Sequence, residues 1–207
     1  MIIRNFFQSE KRAGISFLEI ILSMGVTAII VLVLSKFSGT VTSIGTVINQ
    51  RLQVQGDLEQ GLQIMVTDIR SAGPSAYGSY AIESAASSSF VFYSDVDRDG
   101  TMERVRYFFG TSTLQKGVTE PTTSTPPTYV TSTEGVKIVV PNVKISSSSF
   151  EYFGDTATST FTPLASPIEI EAVRFMRISV TADVSTSSAP KPITFTNTVT
   201  IRNLRSN

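Results

Sequence analysis

The chain has 207 residues, 17 Lys plus Arg against 17 Asp plus Glu, and no His, Cys or Trp. That length holds one domain, or one domain with an appendage, and a composition 41% hydrophobic and 16% charged excludes a disordered polyelectrolyte. Without His or Cys there is no Ser-His-Asp triad, no Cys nucleophile, no disulfide and none of the usual zinc, haem or iron–sulfur ligand sets. A zero net charge gives no electrostatic reason to bind nucleic acid.

The first fourteen residues, MIIRNFFQSEKRAG, carry Arg4, Lys11 and Arg12 against Glu10. Ile15 to Leu34 follows, with Glu19 as its one charge, and Lys36 closes it. Twenty residues at about 1.5 Å each give roughly 30 Å of helix, the thickness of a bilayer hydrocarbon core. The excess of positive charge before the span places the N-terminus in the cytoplasm and the remainder outside. A secretory signal peptide is a weaker reading, because Leu32-Val33-Leu34-Ser35-Lys36 is a poor cleavage site. Glu19 separates this segment from a plain anchor. An acid at the centre of a membrane helix costs about 2.5–3.5 kcal/mol and usually marks a partner charge, whereas at headgroup level it costs little. Both readings of Glu19 stand on composition alone.

Lys11-Arg12-Ala13-Gly14 followed by Ile15-Ser16-Phe17-Leu18-Glu19-Ile20-Ile21-Leu22 resembles the processing motif of type IV pilins and related pseudopilins. The resemblance implies that a prepilin peptidase cuts after Gly14, that Ile15 becomes a methylated N-terminus, and that Glu19, fifth from the cut, serves in assembly. Ile15 stands where the family usually has Phe, Phe17-Leu18 varies a Leu-Ile pair, and the leader is richer in apolar residues (Ile2, Ile3, Phe6, Phe7) than most. The implied physics is simple. A freed amino group at Ile15 is mostly protonated at neutral pH. That ammonium and a neighbour's Glu19 carboxylate are each costly in a helix bundle unless paired. Pairing between subunits favours one axial register, and the uncut leader denies it.

Beyond Lys36 a helical stripe continues through Val41, Ile44, Ile48, Leu52, Leu58, Leu62, Met65 and Ile69, broken by polar Gln55. Gly73-Pro74 ends it. A helix from Ile15 to Ser71 would extend roughly 85 Å. Gly56 and Gly61 inside it are expected to pack closely on a sheet. For Gly39 and Gly45 two readings stand, close packing or a spine that bends or melts locally. Residues 61–73 are similar to the helix end of minor pilins and minor pseudopilins of type II secretion, so the resemblance covers about residues 11–73.

From Tyr77 the period changes. Residues 90–93 and 105–109 read as strands joined across Asp97-Arg98-Asp99-Gly100, with further strands at 136–140, 149–153, 174–184 and 194–201. Met176, Ile178, Val180 and Ala182 share one face, and Thr residues line the outer face of the last strand. The expected fold is therefore α+β and, by resemblance, pilin-like: a long N-terminal helix, transmembrane in its first half, packs by its second half on an antiparallel sheet. The expected segments are a cleaved cytoplasmic leader (1–14), a transmembrane and assembly helix (15–36), its amphipathic continuation (37–73) and an extracytoplasmic head (74–207). Residues 119–129 and 185–192 are expected loops rich in Ser, Thr and Pro.

Asp95, Asp97, Asp99, Gly100 and Glu103 match positions one, three, five, six and nine of a calcium loop, although position twelve is Arg106 and strands flank the loop. The plainer reading is an Asp-rich hairpin tip. Calcium is the one cofactor the residues suggest. The pairs Glu169/Glu171 and Glu151/Asp155 lack any pocket signature, so no enzyme is expected. Arg202 and Arg205 read as solvated chain-end cations.

The resemblance implies a structural subunit of a pilus or secretion filament, held first in the cytoplasmic membrane and then in an extracellular or periplasmic filament. The implied partners are prepilin peptidase and methyltransferase, other pilin or pseudopilin subunits, the inner-membrane assembly machinery and membrane lipid. Removing the leader leaves 14 basic and 16 acidic residues, a mature charge of −2. The absence of Cys means the head lacks the C-terminal disulfide loop of many pilins. The competing reading is an uncut single-pass membrane protein whose β head binds a ligand or calcium.

Overall fold

A computed structural model describes residues 14, 16–154, 162–183 and 192–201. The basic leader up to residue 13, Ile15, Asp155, the stretch 184–191, and Arg202 and Arg205 lie outside the described residues. The chain divides into two compact units, residues 1–48 and 49–207.

The apolar run and the stripe behind it form one helix, α1, at Phe17–Arg70. It opens where the amides of Glu19 and Ile20 donate to the Ser16 carbonyl at 2.9 and 3.2 Å. Glu19 in the first turn and Arg70 in the last complement the helix dipole. Ser23 and Thr27 return their hydroxyls to the carbonyls of Ile20 (2.9 Å) and Ser23 (2.7 Å), so these polar groups are satisfied within the helix. From Ser16 to Gln53 every residue except half-buried Gly45 is exposed. The 18-residue window near the N-terminus is long and apolar enough to cross a membrane, and α1 is a candidate membrane anchor by length and composition.

In the second unit, burial on the helix begins at Val54 and continues through Leu58, Gly61, Leu62, Met65, Val66, Asp68 and Ile69. Leu58, Leu62, Met65 and Ile69 fulfil the expected stripe, each worth about 1.5–3 kcal/mol of burial. Val41, Ile44, Ile48 and Leu52, on the same stripe, remain exposed.

Among the described residues, eight antiparallel strands follow. β1 (Ile82–Ala86), β2 (Ser89–Ser94), β3 (Glu103–Phe109), β4 (Leu114–Thr119) and β5 (Gly135–Val140) form a five-stranded sheet in that order. β6 (Ser149–Phe153), β7 (Phe175–Ala182) and β8 (Ile193–Thr200) form a second sheet of three. The α+β architecture is the expected one, and the strands divide into two sheets where the sequence indicates one. All six expected strands are present. β2, with Phe90, Val91, Phe92 and Tyr93 all buried, forms because aromatic and β-branched side chains fill a pleated, covered surface. Along β7, Met176, Ile178, Val180 and Ala182 are buried as their alternation requires. The sheets share one core with the helix. Phe109 stacks on Phe150 at 4.7 Å and Phe90 meets Tyr152 at 5.6 Å, so rings join the two sheets.

Gly61 lets the helix approach β5: a Cβ there would lie 2.6 Å from Val140 Cγ2 and 3.0 Å from Val139 Cγ1. Gly56, expected in the same role, has nothing within 4 Å, and neither have Gly39 and Gly45. Close packing within the chain therefore accounts for Gly61 alone of these four. Gly61→Ala is expected to destabilise the head by about 1–2 kcal/mol in urea unfolding, because Val140 is fully buried and cannot yield. The same change at open Gly56 should stabilise by up to about 1 kcal/mol through helix propensity. Equal effects at both positions would contradict the packing.

Candidate functional site

Of the N-terminal motif's site residues, Gly14 precedes α1 and Glu19 lies in its first turn; both are exposed, a Cβ at Gly14 would meet nothing within 4 Å among the described residues, and Ile15 is outside the described residues. This is an apolar helix face with one carboxylate on it.

The second site is built by the β2–β3 hairpin. β2 ends buried at Ser94 and β3 begins buried at Glu103, so the intervening loop must turn within eight residues. It does so through left-handed backbone at Arg98 (φ 66°) and Gly100 (φ 90°), the latter free to Gly at no steric cost. The loop's amides hold the carboxylates in place. Gly100 N–H donates to Asp95 Oδ2 (3.1 Å), Asp99 N–H to Asp97 Oδ1 (3.1 Å) and Thr101 N–H to Asp99 Oδ1 (2.7 Å). Val96 N–H donates to Glu103 Oε2 at 2.7 Å. These bonds bring Asp95, Asp97, Asp99 and Glu103 together, with one oxygen from each within 4.8 Å of the others. Glu103 is fully buried, and among the described residues its Oε1 and Asp95 Oδ1 are buried without a hydrogen-bond partner. Burial pushes the Glu103 carboxyl up to about 7 against the pull of the Val96 amide, with Glu120, Asp97 and Asp95 adding to the rise. Glu120, at the end of β4, is raised by desolvation and by Asp97 and Asp99. It is a fifth acid of this region that the spacing of the loop did not reveal.

Arg106, the loop's twelfth position, is committed elsewhere. Its Nε donates to Glu134 Oε1 at 2.8 Å, Nη2 donates to Oε2, and its guanidinium lies 3.9 Å over the Phe108 ring. These hydrogen bonds, and then the Arg106 charge, hold the Glu134 carboxyl below its ordinary range. Gly117, opposite Arg106 across the ladder, leaves room for that carboxylate: a Cβ there would lie 2.6 Å from Glu134 Cδ.

A polar lock inside the head was also missed by the sequence reading. Asp68, on the same helix face as Gly61 and Met65, accepts bonds at Oδ2 from Tyr107 OH and Lys116 Nζ, both at 2.6 Å. Its carbonyl accepts from Ser94 Oγ at 3.0 Å. Burial, then the Asp68 charge and hydrogen bond, push the Tyr107 hydroxyl's pKa upward. The available signal was an acid at three- and four-residue steps from buried apolar positions.

An open cleft of about 820 Å³ is lined in part by Tyr77, Tyr93, Tyr129, Glu83 and Arg104. Its polar groups satisfy one another: Arg104 Nε and Nη2 donate to Glu83 at 2.7 and 2.8 Å, and Tyr93 OH donates to Glu83 Oε2 at 2.8 Å. Of the carboxylates weighed for catalysis, Glu151 pairs with Arg177 at 3.2 Å, while Glu169 and Glu171 lie at the short helical turn before β7. Asp155 is outside the described residues. No protein-family model matches the chain, and no curated protein matches it.

Proposed function

We propose that the chain is a structural subunit, a minor pilin or pseudopilin, of a type IV pilus or a type II secretion-like filament. In this reading a prepilin peptidase cuts after Gly14, residues 15–36 hold the subunit in the cytoplasmic membrane, and the helix then carries it into a filament outside. The observation that carries the reading is the exposed apolar length of α1. Phe37, Val41, Ile44, Ile48 and Leu52 continue the apolar face at three- and four-residue steps beyond Leu34, all exposed. A bilayer core covers about twenty helical residues. The stripe past it requires a protein partner, because contiguous exposed apolar surface of this extent marks an interaction site. Copies of the same kind of helix, packed in a bundle, supply that cover and place Glu19 opposite a neighbour's freed ammonium. The basic leader with Gly14 and Glu19 at the processing spacing supports the same reading.

The second reading, an uncut anchored head that binds a ligand or calcium, is favoured by the acidic hairpin and leaves the stripe uncovered. Filaments sheared from the producing cells are expected to contain the chain. Recovery of the chain solely in membranes, with none in the sheared fraction, would overturn the filament reading.

A further inference from the structure

We infer that the β2–β3 hairpin is a calcium site, with Asp95, Asp97, Asp99 and buried Glu103 as side-chain ligands. This goes beyond the filament reading and does not depend on it.

Asp97 and Asp99 are exposed, Asp95 is half-buried and Glu103 is fully buried, so the cluster runs from the surface into the head. Each carboxylate accepts an amide hydrogen from its own loop, which fixes its orientation, and the groups then converge on one point. Two oxygens of these acids, Glu103 Oε1 and Asp95 Oδ1, are buried with no hydrogen-bond partner among the described residues. Glu103 is fully buried, and an ionised carboxylate there is costly without a counter-charge, a cost that a bound cation would remove. None of the four ion pairs among the described residues includes any of these acids. Like charges this close, with oxygens within 4.8 Å of one another, repel at every effective dielectric constant a protein offers, and a cation among them turns that repulsion into attraction.

The ligand set favours calcium. One oxygen from each of the four acids lies within 4.8 Å of the others, close enough to share one cation. Calcium takes six to eight oxygens and accepts several carboxylates in flexible geometry, whereas magnesium usually keeps several waters and takes one or two carboxylates. The usual acid at position twelve is absent, since Arg106 is paired with Glu134. Glu103, at position nine, takes its place from the first residue of β3. The ion would tie the end of β2 to the start of β3.

The test is calorimetric titration of calcium chloride into the purified full chain in detergent, with thermal unfolding followed in parallel. One ion per chain is expected, with a dissociation constant of about 10⁻⁴–10⁻³ M, the range of extracellular modules. At tenfold excess over that constant the unfolding midpoint should rise by about 3–6 °C. The double variant Asp97→Asn/Asp99→Asn alters two exposed side chains, so it folds. It should bind at least about tenfold more weakly and unfold no earlier than the parent without calcium, since two repelling charges are gone. Glu103→Gln can still accept the Val96 amide hydrogen and should also weaken binding by about tenfold or more. Absence of both heat and midpoint shift at about 10 mM calcium, parent-like binding by the double variant, or magnesium matching calcium would each overturn the assignment.

Discussion

Asp68→Ala is expected to lower the stability of the head by about 3 kcal/mol. Removing one partner of a buried ion pair leaves the other uncompensated, typically at about 3–5 kcal/mol, and the Tyr107 hydroxyl also loses its acceptor. The Lys116 side chain retains 16% exposure and can swing partly toward water, which places the effect at the lower end of that range. Asp68 lies on the helix, Tyr107 on β3 and Lys116 on β4, so the loss loosens the helix from the five-stranded sheet. Urea unfolding of the full chain in detergent measures it. Adding Lys116→Met to the Asp68→Ala chain should recover about 1–3 kcal/mol, because the orphaned cation is then gone. A loss under about 1 kcal/mol for Asp68→Ala would show that the lock contributes little.

Glu19→Ala is expected to leave the head folded and to reduce recovery of the chain in sheared filaments roughly a hundredfold. Glu19 is exposed within its own chain, so the unfolding of the head should not register the change. In the proposed filament the substitution would strand the neighbour's ammonium in an apolar bundle, at about 2.5–3.5 kcal/mol. At about 1.4 kcal/mol per tenfold, that corresponds to roughly two orders of magnitude in incorporation. Recovery of the variant at the parent level would remove the pairing from the account while leaving the apolar stripe as the assembly surface.

Much of this fold is legible from residue pattern, and the exceptions have physical causes. β2 and β7 are read directly, because aromatic and β-branched residues in their spacing have one good use. β1 (IESAA) and β4 (LQKGVT) are not, because strands of Ala, Ser, Gly and Lys draw their stability from the neighbours they pair with. The stripe on α1 is legible, but spacing cannot say that cover within the chain begins at Val54, since that depends on where β-strands lie in space. For the same reason Gly56 and Gly61 look alike in sequence, and only Gly61 meets Val140. The division into two sheets escapes a strand-by-strand reading. It occurs between Val140 and Ser149, where Asn142 adopts φ 56° and the Val143 amide turns to Ser112 at 2.8 Å.

The acidic hairpin was legible as a ligand pattern from its Asp-x-Asp-x-Asp-Gly spacing. The full burial of Glu103 and the proximity of Glu120 were not, because both follow from packing outside the loop. Asp68 went unread for a related reason: an acid near a helix end is ordinarily solvated, and only the approach of Tyr107 and Lys116 makes it a lock.

The proposed removal of residues 1–14, which would let Ile15 meet Glu19 of a neighbouring subunit, can be read by intact-mass and N-terminal peptide spectrometry of the chain recovered from membranes and sheared filaments. The predicted result is a chain that begins at Ile15 and carries one methyl group on its amino terminus. A chain in the same fractions that still begins at Met1 would contradict the claim and leave an anchored β head in its place.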